Sequence, residues 1–230
     1  MKQIKAIVFD KDGTLIDFEA SWSVGMQAML EAVAPADVAT QANLAMAAGY
    51  DMQSRSFMGG SVFVNGTTAD MTAVWLGVDP TLDEADLLAK GEVAFSGLPP
   101  VPLCDLPVLL GQLRTMGFLL GVVTNAAEAP TLVQLEKMKC LDLFDMVIGC
   151  DSGFTPKPAG DTILGFCHHM GLAPEQVAMV GDSTHDLNAG RAAGVGLNVG
   201  VLSGPADRAQ IVDLADVILD DVTELISLFS

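Results

Sequence analysis

The chain has 230 residues, of which 50% are hydrophobic and 17% are charged. This composition suits one or two compact domains and excludes disordered, collagen-like and coiled-coil chains. With 11 Lys and Arg against 29 Asp and Glu, the net charge is −18. Such a surface repels nucleic acids and anionic membranes, so we expect neither as a partner, and an anionic substrate would need local positive charge at its site.

Cysteine usage and the first apolar run indicate the compartment. The four cysteines form no CxxC pair, and the three histidines complete no zinc pattern with them, which favours a reducing environment. The apolar run at residues 6–9 is shorter than that of a signal peptide, and no run is long enough for a membrane span. We therefore expect a soluble, cytoplasmic protein.

Short β-branched runs alternate with helical patterns at the start and in the second half of the chain. The runs predicted as strands are residues 4–9, 118–123, 146–148, 177–180, 195–199 and 217–219. Asp105 is predicted to cap a helix that stops at Gly117 and has one apolar face made of Leu106, Leu109, Leu110, Leu113 and Met116. Gly171 and Gly194 are predicted to end later helices. Apolar strands separated by helices are typical of a parallel sheet covered on both faces, so the pattern predicts a doubly wound α/β fold.

Residues 17–97 have a different pattern. Apolar side chains at helical spacing predict helices around residues 22–33, 38–46, 71–77 and 87–88, and residues 61–64 form a candidate short strand. The proline-rich stretch 97–102 is predicted to be a linker. We therefore expect a core domain of residues 1–16 and 98–230, with an inserted helical domain of residues 17–97 that could hinge over the sheet.

Two polar clusters follow the strands predicted at residues 4–9 and 118–123, at the edge where open α/β sheets bind ligands. In the sequence Asp10-Lys11-Asp12-Gly13-Thr14, two carboxylates can converge around a cation, although an acidic surface turn explains the pair equally well. In Thr124-Asn125, a hydroxyl and backbone amides could hold an anionic oxygen, and a turn or cap is the alternative.

Two further clusters follow the strands predicted at residues 146–148 and 177–180. Lys157 lies between Pro156 and Pro158, which restrict the backbone, although most lysines are solvated surface charges. In the stretch 181–186, Asp182 and Asp186 are four residues apart at a predicted helix start and offer hard oxygens that suit magnesium. Helix capping is the alternative for this last cluster.

The series DxDGT, Thr, Lys and GDxxxD, each after an apolar strand, resembles the haloacid dehalogenase-like superfamily and, within it, the phosphoglycolate phosphatase group. The resemblance covers the whole chain, and the insert stands where that family has a helical type-1 cap. Lys11 departs from the pattern, since close phosphatase relatives often carry an apolar residue there. The resemblance implies a Mg²⁺-dependent phosphatase that acts on a small-molecule phosphate ester, with phosphoglycolate as a candidate, through an aspartyl-phosphate intermediate.

The resemblance also implies a role for each motif residue. Asp10 would attack phosphorus, and Asp12 would protonate the leaving alkoxide and then deprotonate the attacking water. The implied magnesium ligands are Asp10, the backbone carbonyl of Asp12, and Asp182. The implied phosphate-binding residues are Thr124, Asn125 through its amide, and Lys157, which would also supply catalytic positive charge. Asp186 would orient Lys157 or a metal-bound water.

Other interpretations of the same motifs remain open. Dehalogenases of the superfamily need no acid at the second motif position, so Asp12 argues against that chemistry. A sugar-phosphate mutase keeps both aspartates and would move phosphate between positions on one sugar. A receiver-like signalling domain also combines Asp, Thr, Lys and magnesium, but its acceptor Asp lies in mid-chain. Substrate specificity, for which Arg55 is a candidate residue in the insert, and the oligomeric state are open as well.

Overall fold

In the computed structural model, which describes residues 4–58 and 60–230, the chain forms two compact units. The first consists of the chain up to Asp17 together with Pro102–Ser230, and the second is Phe18–Val101. The sequence-based division at residues 16/17 and 97/98 lies one and four residues before these two boundaries.

Strands and helices alternate through the first unit, whereas helices dominate the second. The strands are β1 (Ala6–Phe9), β2 (Tyr50–Asp51), β3 (Ser56–Phe57), β4 (Leu119–Val123), β5 (Met146–Ile148), β6 (Val177–Gly181), β7 (Leu197–Val201) and β8 (Val217–Leu219). The helices are α1 (Phe18–Val33), α2 (Val38–Ala48), α3 (Val62–Asn65), α4 (Thr68–Val78), α5 (Glu84–Phe95), α6 (Leu106–Thr115), α7 (Glu128–Lys137), α8 (Asp161–Met170), α9 (Thr184–Ala193), α10 (Arg208–Ile211) and α11 (Leu225–Phe229). Among the described residues, none of these helices combines the length and apolar composition that a bilayer crossing requires.

The first unit is organised by a parallel sheet whose strands lie in the order β5-β4-β1-β6-β7-β8. Strand β1 is central, with Phe9 in register with Val122 of β4 and Val180 of β6. All four residues of β1 are buried, because helices cover both faces of the sheet. On one face, Val8 packs in a cluster with Phe166 of α8. This arrangement confirms the doubly wound α/β fold.

All six runs predicted as core strands contain strands, and one of these strands is displaced along the sequence at both ends. The run at residues 195–199 is displaced to Leu197–Val201. Gly194 adopts a left-handed conformation with φ 75°, and the Val195 amide donates to the Gly190 carbonyl at 3.1 Å, so the helix cap takes up the first residues of the run. Strand pairing begins after Gly196, whose amide donates to the Val177 carbonyl at 3.0 Å.

Helix α6 shows how the helix ends follow from the sequence. The Asp105 carboxylate accepts a hydrogen bond from the Val108 amide at 3.2 Å, as predicted for an N-cap. Met116 is 38% exposed, so its inclusion in the apolar face was wrong. Gly117 adopts a left-handed conformation with φ 96°, and Met116 is the C-cap residue at the end of the helix.

The second unit is helical with one small hairpin. Residues 61–64 are not a strand: the Ser61 hydroxyl accepts from the Phe63 amide at 3.2 Å and caps helix α3. The strands of this unit are β2 and β3, where Tyr50 pairs with Phe57. Helix α2 forms as predicted, but Val38 and Met46 lie on its exposed side, at 68% and 67% exposure.

Candidate active site

The residues singled out in the first unit meet at the carboxyl ends of the central strands. Asp10 directly follows β1, Thr124 follows β4, and Asp182 follows β6. Lys157 lies in the loop after β5. All four side chains are buried. Parallel strands end at one edge of the sheet, which explains why residues far apart in sequence converge there.

Lys157 is the centre of a buried ion-pair cluster. Its Nζ donates to Asp10 Oδ1 at 2.5 Å, to Asp186 Oδ1 at 2.6 Å and to the Val123 carbonyl at 3.0 Å. The residue is only 5% exposed. The interpretation of Lys157 as a solvated surface charge is therefore wrong, because all three ammonium hydrogens are donated inside the protein.

The loop that carries Lys157 is held by a reciprocal pair of hydrogen bonds. Asn125 Nδ2 donates to the Lys157 carbonyl at 3.0 Å, and the Lys157 amide donates to Asn125 Oδ1 at 3.0 Å. The Lys157–Pro158 peptide bond is cis. The Asn125 side chain therefore binds the backbone of Lys157, and the phosphate-binding role expected of the Asn125 backbone amide stays a prediction.

Thr124 is positioned by its own strand end. Its amide donates to the Ile148 carbonyl at 3.0 Å, and its hydroxyl oxygen accepts from the Ala126 amide at 3.1 Å. The hydroxyl hydrogen takes no part in either bond, so it can be donated to an anionic oxygen.

Asp182 has the features of a cation ligand. Thr14 Oγ1 donates to Asp182 Oδ1 at 3.2 Å, but the buried Oδ2 has no hydrogen-bond partner among the described residues. A Cβ on Gly13 would lie 2.6 Å from this Oδ2, and one on Gly204 would collide with it. The backbone therefore packs directly against a buried, ionisable oxygen, which is costly unless a cation approaches it.

Three carboxylates can share one ion at this place. Asp10, Asp182 and Asp186 each offer an oxygen within 4.8 Å of the others. They face one ammonium, that of Lys157, so a fully ionised cluster carries two uncompensated negative charges, which a divalent cation would offset. Hard carboxylate oxygens are the ligands that magnesium and calcium prefer. The residues present thus fit a divalent metal ion.

Asp186 and Asp12 differ from the other two aspartates. Asp186 Oδ1 accepts from Lys157, and its Oδ2 accepts from the Ser183 amide and hydroxyl at 3.0 and 2.6 Å. Both oxygens of Asp186 are thus engaged by the protein, and its role in orienting Lys157 stays a prediction. Asp12 lies outside the cluster of three carboxylates, and its Oδ2 is paired with Lys11 Nζ at 2.5 Å.

Burial and like charge shift the titration of the cluster. Desolvation raises the pKa of Asp10 to about 7, with a further rise from Asp186, although Lys157 opposes it. The pKa of Asp182 lies well above its ordinary value, because the group is desolvated and faces Asp186 and Asp10. Burial alone would lower the pKa of Lys157, but Asp10 and Asp186 raise it above its ordinary value. Lys157 therefore stays charged, while the carboxyls take up protons when no other cation is present.

Two residues of this site were missed at the sequence level. Thr14, which donates a hydrogen bond to Asp182, belongs to the DxDGT motif, so the motif could have indicated it. Gly204 follows β7 and gave no such signal, because its role depends only on its closeness to Asp182. Ser203 Oγ donates to the Gly13 carbonyl at 2.7 Å and fixes this loop against the first motif. Arg55, the specificity candidate, is exposed in the β2–β3 turn of the second unit, and its role stays a prediction.

Comparison with family models and curated proteins places the chain among known hydrolases. The model of the haloacid dehalogenase-like hydrolases matches residues 4–194. Phosphoglycolate phosphatase of Escherichia coli K12 is 37% identical over 141 residues, which is 59% of this chain and 53% of that protein, so the match spans about half the length of this relative. Phosphoglycolate phosphatase of Nitrosospira multiformis is 30% identical over 201 residues, covering 83% of this chain and 80% of that protein.

Solved structures share the fold over the whole chain. The crystal structure of a predicted phosphoglycolate phosphatase from Haemophilus somnus is 23% identical, covers 100% of both chains and has a TM-score of 0.77. That of a HAD-superfamily hydrolase from Geobacter sulfurreducens is 20% identical, covers 99% of this chain and 97% of that one, and has a TM-score of 0.60. With most of its length matched by the family model, the chain belongs to the haloacid dehalogenase-like hydrolases.

Proposed function

We propose that the chain is a Mg²⁺-dependent phosphatase that hydrolyses a small-molecule phosphate monoester through an aspartyl-phosphate on Asp10. The observation that carries this proposal is the contact of a buried carboxylate, Asp10, with the buried ammonium of Lys157 at 2.5 Å, beside the unpartnered oxygen of Asp182. Because curated relatives carry the name phosphoglycolate phosphatase, phosphoglycolate is the first substrate to test.

Asp10 is the proposed nucleophile. Lys157 engages its Oδ1, so Oδ2 attacks phosphorus, and a new O–P bond forms as the bond to the leaving oxygen breaks. A phosphate ester is anionic and repels a carboxylate, and this chain has a net charge of −18. Lys157 offsets that repulsion at the reacting atoms, where screening by water is weak. When bound to Asp10, Asp182 and the Asp12 carbonyl, a magnesium ion would supply further positive charge to the phosphoryl oxygens.

Asp12 is the proposed general acid and base. It gives a proton to the leaving alkoxide in the first step and takes a proton from water in the second. The water oxygen then bonds to phosphorus as the Asp10–phosphorus bond breaks, which releases phosphate and restores Asp10. Thr124, through its hydroxyl, and Asn125, through its backbone amide, are proposed to bind the phosphoryl oxygens during both steps.

The test is phosphate release by the metal-stripped chain with and without added Mg²⁺. We expect release from phosphoglycolate or another ester of a metabolite panel only when Mg²⁺ is present. Full turnover after exhaustive chelation would contradict the proposal. The second candidate, a sugar-phosphate mutase, uses the same pair of aspartates and would convert one sugar phosphate into an isomer without free phosphate, so analysis of the products separates the two.

A further inference from the structure

Lys11, the central residue of the first motif, is buried although nothing in the expected chemistry requires a charge there. It is 1% exposed, and its Nζ lies 2.5 Å from Asp12 Oδ2. The same Nζ donates to Gln134 Oε1 of helix α7 at 2.8 Å. A buried ammonium is costly to place in a protein unless it is paired and hydrogen-bonded. The contacts with Asp12 and Gln134 therefore hold the Lys11 ammonium in its position.

Lys11 is held both at its backbone and at its ammonium group. Its backbone carbonyl accepts from the amides of Leu15 and Ile16 at 2.8 and 3.0 Å, which holds the turn that contains Gly13 with φ 87°. Gln134 lies on helix α7, which follows strand β4, and its side chain accepts a hydrogen bond from the ammonium. The ammonium is therefore held 2.5 Å from one oxygen of the Asp12 carboxyl group.

We propose that Lys11 is a positioning residue for Asp12. By engaging Oδ2, it sets the orientation of the carboxyl group that exchanges protons with substrate and water. This inference rests on the proposed function, because it concerns how Asp12 performs the acid–base steps assigned to it there.

The pairing is compatible with both protonation states of Asp12. When the proton is on Oδ1, Oδ2 is a carbonyl-type oxygen and still accepts from Lys11; when the group is ionised, Oδ2 accepts as a carboxylate oxygen. In the first step the Asp12 proton passes to the leaving oxygen as that oxygen's bond to phosphorus breaks. In the second, a water proton passes to the Asp12 carboxylate as the water oxygen bonds to phosphorus and the Asp10–phosphorus bond breaks. The contact with Lys11 can thus persist through both steps.

A loss of this positioning has a signature that general damage to the fold lacks. A poor leaving group needs the proton from Asp12, whereas a good leaving group departs without it. Displacing the Asp12 carboxyl group should therefore slow the ester with the poor leaving group selectively, because a general acid must lie within hydrogen-bonding reach of the atom that it protonates.

The experiment compares p-nitrophenyl phosphate with phenyl phosphate, whose leaving group is more basic, and measures kcat/KM with saturating Mg²⁺. Lys11→Met removes the donor while keeping a long apolar side chain. We expect it to lower kcat/KM about tenfold or more for phenyl phosphate and less than about threefold for p-nitrophenyl phosphate, a part of the ~10²–10⁴-fold that acid–base catalysis contributes. Gln134→Leu should act in the same direction with a smaller effect.

The matched control is Lys137→Met, which makes the same substitution at an exposed lysine of helix α7 and should leave both esters at wild-type rates. Equal losses on the two esters in Lys11→Met would overturn the positioning role while the proposed function stands. If Lys11→Met shows no cooperative thermal unfolding transition, Gln134→Leu decides, and equal losses on both esters in that variant overturn the inference. A wild-type chain that releases phosphate neither from these two esters nor from any ester of the metabolite panel would instead refute the proposed function itself.

Discussion

Replacing Lys157 by methionine removes the one ammonium of the ion-pair cluster and keeps an unbranched side chain. At an effective dielectric constant of ~20, the separations of 2.5 and 2.6 Å from Asp10 and Asp186 correspond to an attraction of about 6.5 kcal/mol each. Desolvation offsets much of this, and removing one partner of a buried pair typically costs about 3–5 kcal/mol. We expect the free energy of unfolding to decrease by an amount near the lower end of that range, because the Asp10 and Asp186 carboxyl groups can take up protons instead.

The activity of the folded variant should fall as well. Lys157 stands beside the attacking carboxylate, so its loss should lower kcat by about 10²-fold or more, the scale of losing one preorganised charge stabiliser. Lys157→Arg should restore little, because a planar guanidinium cannot make the three short contacts of a compact ammonium.

The assay is phosphate release from p-nitrophenyl phosphate with saturating Mg²⁺, with unfolding followed in parallel to confirm that each variant is folded. Lys137→Met, at an exposed position, is the control and should stay within about twofold of wild type. If folded Lys157→Met kept the activity of Lys137→Met, the assignment of Lys157 to the catalytic site would be refuted.

Two further predictions concern the metal. Gly204→Ala should weaken Mg²⁺ binding measured by calorimetry, because the added methyl group collides with the Asp182 carboxylate, whereas Gly111→Ala has open space and should bind like wild type. In the metal-free protein, the pKa of Asp10 is raised from 3.8 to about 7. Between these two pH values the Asp10 carboxyl group is protonated in the folded state and ionised in the unfolded state. The free energy of unfolding should therefore fall as pH rises from about 4 to about 7. Denaturant unfolding with and without Mg²⁺ checks this, and an equal stabilisation by Mg²⁺ at about pH 5 and about pH 8 would contradict it.

The core of the fold was predictable because its signals are strong and local. Strands such as Ala6–Phe9 are buried on both faces and therefore appear as continuous apolar runs. The faces of the inserted helices were less predictable: of Val38, Leu44 and Met46, which have helical spacing, only Leu44 is buried in α2. The β2–β3 hairpin has two residues in each strand, too few for an alternating pattern to be recognised.

The candidate site was predictable for those residues that directly follow a strand. Asp10, Thr124 and Asp182 each follow a strand of one parallel sheet, so their convergence follows from topology. The partners that act through space were not predictable: the contact of Gly204 with Asp182, and that of Gln134 with Lys11, join elements whose separation in the chain leaves no local pattern. The reciprocal bonds between the Asn125 side chain and Lys157 also required the three-dimensional structure.

The central claim is that Asp10 carries the phosphoryl group during turnover. The most direct measurement mixes the Mg²⁺-loaded chain with excess p-nitrophenyl phosphate, quenches it in acid within the first turnovers, and locates the covalent phosphoryl group by peptide mass spectrometry. We expect the adduct on the peptide that contains Asp10, with its site at Asp10, and we expect none in folded Asp10→Asn. An adduct on another residue, or phosphate release by Asp10→Asn at the wild-type rate, would contradict the account.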